Sequence, residues 1–331
     1  MSFSSRLLPV LLALLLGSAS LQAATLKIAT LAPEGSSWMV AMRDAAKQVE
    51  SATEGRVKIK FYPGGVMGND STVLKKIRLG QLQGGALTGT ELASVAPNAP
   101  IYGLPFLFAN TAEVDAARAA LDDELAAELK AAGFRMVSLS GVGFAYLMSA
   151  GDIATRAALE ARKVWVPQGD LIAEMTFRSG GISPVPLPLA DVFTALQSGL
   201  VDTVGNTPAG AIALQWHGPL RQILDLPLSY VVGYVVLQER AFSRLSEGDQ
   251  QILLDAFRRG SERIDAGNRE ADAQALEALV DLGVQKVAVP PEEVARWREI
   301  GVQVGDRLVA EGKLDGRLLA ALREAVAAQR R

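Results

Sequence analysis

KVWVPQGDLIAEMTFRSGGISPVPLPLADVFTALQSGLVDTVGN, residues 163–206, decides the fold class. KVWVP is short, apolar and rich in valine, so it reads as a strand. LIAEMTFRSG follows with helical spacing and stops at a glycine. ISPVPLPL holds three prolines, which fix the backbone in an extended form. ADVFTALQSG reads as a second helix and VDTVGN as a second strand. This alternation predicts an open, mostly parallel α/β sheet with helices on both faces.

The same alternation fills the part of the chain before it. TLKIATL (25–31) alternates apolar and polar residues and predicts a first strand. The turn Pro33–Ser37 precedes a helix that starts near Trp38 and ends at Gly55. RVKIKFYP predicts a second strand, STVLKKIRLGQLQ a capped helix and GGALTGT a third strand. IYGLPFLF is an apolar segment broken by Pro105, and residues 111–132 form a long alanine-rich helix. FRMVSLS and FAYLMS read as two further strands. YVVGYVVLQ is one more buried strand, and the chain from Ser243 to Arg331 is almost all helical. Two α/β units in series predict two lobes.

The 331 residues carry a net charge of −3, with basic residues dispersed rather than clustered. A nucleic-acid partner would need a basic face, and none is visible. There is no cysteine, so disulfides, thiol nucleophiles and thiolate metal sites are excluded. The opening MSFSSRLLPVLLALLLGSASLQA has one basic residue, an apolar run and then small residues. That layout predicts a secretory signal peptide over residues 1–23. The expected product is a periplasmic protein that does not itself span the membrane.

No motif points to catalysis. PGGVMG (63–68) lacks the lysine of a phosphate loop and the spacing of a dinucleotide fold, and reads as a turn, as does GVG (141–143). His217 is the only histidine, and no nucleophile elbow stands before a helix. Asp170, Asp191, Asp202 and Asp225 sit beside turns and read as structural, with Asp191 expected to cap the helix that follows it. Neither a cofactor nor a metal is expected. An exported hydrolase on the same scaffold is the rival reading, and these absences speak against it.

Several segments, in order from about residue 25 to 240, resemble one family. LKIATLAPEGSSW, GRVKIKFYPGGVMGND, VLKKIRLGQLQGG, LPFLF, PVPLPLADVFTALQSGLVDTVGNTP and ALQW are similar to the extracytoplasmic solute-binding receptors of TRAP transporters, the DctP-like family. The resemblance implies a two-lobed periplasmic-binding-protein fold, with a ligand cleft between the lobes and a helical C-terminal region. It implies lobe I over 24–143 plus about 231–268 and lobe II over 144–230 plus about 269–331. It also implies a non-enzymatic receptor that hands a small molecule to TRAP membrane subunits. A receptor that feeds a sensor protein is the variant reading.

Members of the family usually hold an organic acid by an arginine in the strand that matches KVWVP. That position is Trp165 here. A second arginine often follows a glycine-aromatic pair that matches Gly143-Phe144, and here it is Ala145. The family's asparagine is kept as Asn206. The resemblance therefore implies a subgroup without the carboxylate-binding arginine and a ligand that is neutral, or apolar or aromatic in part. The alternative is an organic acid held through a metal ion or another basic residue. Trp165, Asn206, Trp38, Glu34, Thr88, Thr90, Phe106, Phe144, Tyr146 and Trp216 are the candidate ligand-binding residues, since ligands of open α/β sheets sit outside the carboxyl ends of strands. Phe61 and Tyr62 end the second strand nearby.

Overall fold

The computed structural model describes residues 23–331. The expected signal peptide, apart from Ala23, lies outside the described residues.

The chain opens with a β-α-β unit. Strand β1 (Ala24–Thr30) lies parallel to β2 (Val57–Tyr62), with Ile28 opposite Phe61. Helix α1 (Ser37–Ala52) joins them. The Ser36 hydroxyl accepts from the Met39 N–H and caps its first turn. Met39, Met42, Ala45, Ala46 and Val49 recur at three- and four-residue steps and bury one helix face. Helix α2 (Asp70–Arg78) is capped by the Asn69 side chain. It leads to β3 (Gly84–Thr88), which lies parallel to β1. A short helix α3 (Gly89–Leu92) and a 3-10 turn (Ala99–Gly103) follow, and then α4 (Thr111–Ala131), capped by Asn110.

Two long strands hold the molecule together. The expected strands FRMVSLS and FAYLMS are one strand, β4 (Phe134–Ser149). It pairs antiparallel with β8 (Gln222–Gln238), which extends well upstream of YVVGYVVLQ. The segment 141–143 is thus no turn. It is a register shift inside β4, one of several between Met136 and Met148. Such bulges increase strand twist without ending the strand. Pro227 sits at one of these irregular positions, opposite Tyr146, where a missing N–H is tolerated.

Between these strands lie α5 (Arg156–Glu160), β5 (Trp165–Pro167), α6 (Leu171–Ser179), β6 (Val185–Leu187), α7 (Val192–Ser198), β7 (Thr203–Asn206) and α8 (Pro208–Ala213). The Pro-rich run is extended as expected, and β5 and β6 pair in parallel. Asp191 departs from expectation. It stands at the cap position of α7, but its side chain makes no capping bond. The reason is a 3-10 turn over Leu189–Asp191, which already places Asp191 in near-helical backbone geometry.

The sheet order is β2-β1-β3-β8-β4-β7, and a single bridge from Val164 to Thr203 continues it towards β5. The sheet is mixed and not mostly parallel. β8 is antiparallel to both β3 and β4, and β4 is antiparallel to β7. The partners change along the two long strands. The far end of β8, Gly233–Leu237, pairs with β3, whereas its beginning, Gln222–Leu224, pairs with β9 (Gln285–Val287). The end of β4, Tyr146–Ser149, pairs with β7. The molecule is therefore two sheet-and-helix lobes, with β4 and β8 running through both.

After α9 (Glu239–Phe242), helix α10 (Glu247–Asp281) runs 35 residues, about 50 Å at the rise of an α-helix. It packs on α1 near one end and on α8 near the other, with β4 between. Helices α11 (Pro291–Ala310) and α12 (Gly316–Gln329) complete the helical C-terminal region. Among the described residues no helix is long and apolar enough to cross a membrane.

Candidate functional site

The carboxyl ends of β3 and β5 come together. Thr88 ends β3, and its hydroxyl donates to the Glu91 carboxylate on α3. Thr90 donates to Asp170 Oδ2 at 3.1 Å. Asp170 caps α6, its Oδ1 accepting from the Ala173 N–H at 2.9 Å. Asp70, the first residue of α2, is 6% exposed and turns its carboxyl group onto Glu91. Burial pushes Asp70 and Glu91 well above the usual carboxylate range, and the Asp70 charge pushes Glu91 further. Burial raises Asp170 as well.

An aromatic corner lies along the middle of the long strands. Phe144 on β4 meets Tyr230 on β8 edge-on at 5.0 Å, and Phe108 meets the same tyrosine at 6.3 Å. Phe106 has φ of 56°, a conformation that non-glycine residues adopt rarely. Its N–H donates to the Leu228 carbonyl at 2.7 Å, and its ring stacks on Trp297 of α11 at 5.4 Å. The LPFLF turn is thus tied to both β8 and α11.

A third group forms where β4 meets β7. Tyr146 and Asn206 are register partners on these strands. The Asn206 side chain accepts from the Thr207 N–H, and the Thr207 hydroxyl caps α8. Trp165 is 4% exposed, donates its indole N–H to the Leu187 carbonyl at 3.0 Å and meets Trp216 edge-on at 5.3 Å. Both indoles lie in a core cluster with Val192, Leu196, Val204 and Ile223, against which Tyr146 packs. Val164 and Val166 point the other way, into a cluster with Phe177 and Trp297, as strand alternation requires.

Two candidates stand in other surroundings. Trp38 packs on Phe61 at 6.4 Å, against the cluster shared by α1 and α10. Glu34 makes a two-pronged ion pair with Arg43 at the exposed surface, at 2.8 and 2.5 Å. Asp202, just before β7, accepts from the Lys163 N–H, and Asp225 pairs with Lys286.

Sequence reasoning missed Asp70, Glu91 and Asp272. Asp272 of α10 lies against the Gly143 backbone, where a β-carbon would collide with its carboxylate. Burial pushes it up to about 7. Each of these residues reads in the sequence as an ordinary helix acid, and only the topology gathers them. Among the described residues, none of Asp70, Glu91, Asp170 and Asp272 forms an ion pair with a lysine or arginine, in contrast to Glu34, Asp249, Asp265, Glu239 and Glu113, which do.

The family model for bacterial extracellular solute-binding proteins, family 7, matches residues 28–311. The chain belongs to that family. The two-lobed mixed α/β fold matches solved structures of TRAP solute-binding proteins. A TRAP periplasmic solute binding protein from Desulfovibrio salexigens with bound orotic acid superposes with a TM-score of 0.83 at 22% identity, over 92% of this chain and 99% of that one. The sugar acid binding protein of Advenella mimigardefordensis in complex with galactonate gives 0.85 at 19% identity, over 92% and 98%. Among curated relatives, the 2,3-diketo-L-gulonate-binding periplasmic protein YiaO of Escherichia coli is 24% identical over 319 residues, covering 93% of this chain and 94% of its own. A solute-binding protein of Roseobacter denitrificans is 26% identical over 258 residues, covering 74% and 75%.

Proposed function

We propose that this chain is a periplasmic receptor that captures a small organic solute between its lobes and delivers it to TRAP-type membrane subunits. The lobes comprise 24–143 with about 231–268 and 144–230 with about 269–331. The change of strand partners along β4 and β8 supports a boundary there. The ligand meets the Thr88–Thr90 end of β3, the Phe106 and Phe144 corner, and Tyr146 and Asn206. Trp165 and Trp216 back this surface, and Glu34 and Trp38 flank the first strand.

The solute is not anchored by a free carboxylate on an arginine. It is recognised through apolar or aromatic contact and through its own hydrogen-bond donors. One observation carries this reading. At the position where the resemblance implies a guanidinium stands the Trp165 indole, buried, with its only donor already given to Leu187. Ala145 at the second arginine position adds no charge. Burying a carboxylate beside these groups would leave it without a cation, which costs several kcal/mol.

Native mass spectrometry of the protein, purified without added solute, tests the reading. The expected ligand is a copurifying solute with an apolar, aromatic or amine-bearing structure. A copurifying sugar acid or simple dicarboxylate contradicts it.

A further inference from the structure

Thr88, Thr90, Glu91 and Asp170 are each partly exposed, while Asp70 beneath them is buried. Hydrogen bonds from Thr88 to Glu91 and from Thr90 to Asp170 gather these groups into one acidic cluster, and Asp70 faces Glu91 within it. Asp70 Oδ1 is buried and has no hydrogen-bond partner. A buried acceptor without a donor is rare in folded proteins and calls for an explanation. Among the described residues no lysine or arginine pairs with any of the three carboxylates.

Resting on the receptor reading above, we infer that this acidic cluster is the subsite for a protonated primary amine on the bound solute, seated between Glu91, Asp170 and Asp70. An ammonium group carries three donors and no acceptor. The cluster offers the complement: carboxylate oxygens on three elements, with two threonine hydroxyls able to turn their lone pairs inward. Among the described residues no group of three or more histidine, cysteine, aspartate or glutamate side chains is placed to hold a metal ion. The site joins α2 and α3 from one half of the chain to α6 from the other. An amine there would therefore link the two halves, which gives it a greater affinity for the closed form.

Protons follow from the same geometry. The groups that face the site are Asp70 from α2, Glu91 from α3, and Asp170 with Glu174 from α6, all acidic. Burial holds a proton in the cluster near neutrality, and a seated ammonium expels it. Affinity for an amine then rises with pH, and binding releases a proton.

The test uses n-butylammonium chloride as probe, with 1-butanol and sodium butyrate as neutral and anionic matches at equal ionic strength. Titration calorimetry on the full exported chain, in two buffers of different ionisation heat, reads affinity and proton release together. The expected result is a preference for the amine of about tenfold or more over both matches, with proton release near neutral pH. Glu91→Gln should remove the preference and the proton release while the protein melts no lower than the parent. Thr90→Val, which leaves the Asp170 cap in place, should weaken the amine several-fold. Equal binding of amine and alcohol, or a preference that survives Glu91→Gln, overturns the subsite and leaves the receptor reading standing. No binding by any probe, together with no copurifying solute, overturns both.

Discussion

Trp165 gives its N–H to Leu187 and its ring edge to Trp216, so its polar and apolar surfaces are both engaged. Trp165→Ala should therefore cost about 3–5 kcal/mol of stability through the cavity it leaves, measured by chemical denaturation without ligand. A cost below about 1 kcal/mol would place the indole outside the core. Asp272 makes a second prediction at this scale. Its folded value of about 7 lies above the ordinary value of 3.8, so the folded state binds the proton more tightly than the unfolded chain. This contribution to stability is complete at low pH and is lost as pH rises through about 7. Asp272→Asn should flatten the fall in melting temperature over that interval. An unchanged slope would show that the carboxylate titrates normally.

At the scale of elements, α10 lies along the irregular middle of β4. Asp265 accepts from the Gly141 N–H, Asn268 donates to the Gly141 carbonyl, and Asp272 meets Gly143. Residues 265, 268 and 272 share one helix face, so a single helix follows the strand where its partners change. Gly143 has φ of 134°, and a side chain there would strike Asp272. Gly143→Ala should lose about 2 kcal/mol or more, read from urea denaturation, and a neutral effect would contradict this packing. Much of the local structure was legible: Ser36, the Pro-rich run and the α1 stripe behaved as their chemistry dictates. The continuity of β4 and β8 was not. The register shifts at Gly141–Gly143 and Pro227 interrupt the two-residue period by which a strand is recognised. With those strands broken on paper, their antiparallel pairing was hidden too. The acidic cluster was equally invisible, since Asp70, Glu91 and Asp170 lie far apart in sequence and each resembles a helix cap or first-turn residue.

At the scale of the whole molecule, two lobes share β4, β8 and α10, so relative motion of the lobes must bend those elements. A solute shifts the open–closed equilibrium only by the contacts it gains on closure. The Thr90–Asp170 hydrogen bond already links the two halves, and the acids around it lack cations. On the proposed reading, the guest brings positive charge or apolar surface in place of a bare carboxylate. Titration calorimetry with orotate, L-gulonate and galactonate, which are held by structurally similar proteins, tests this most directly. The account predicts no saturable heat for any of the three at concentrations up to about 1 mM, whereas a micromolar or tighter dissociation constant for any one of them would contradict it.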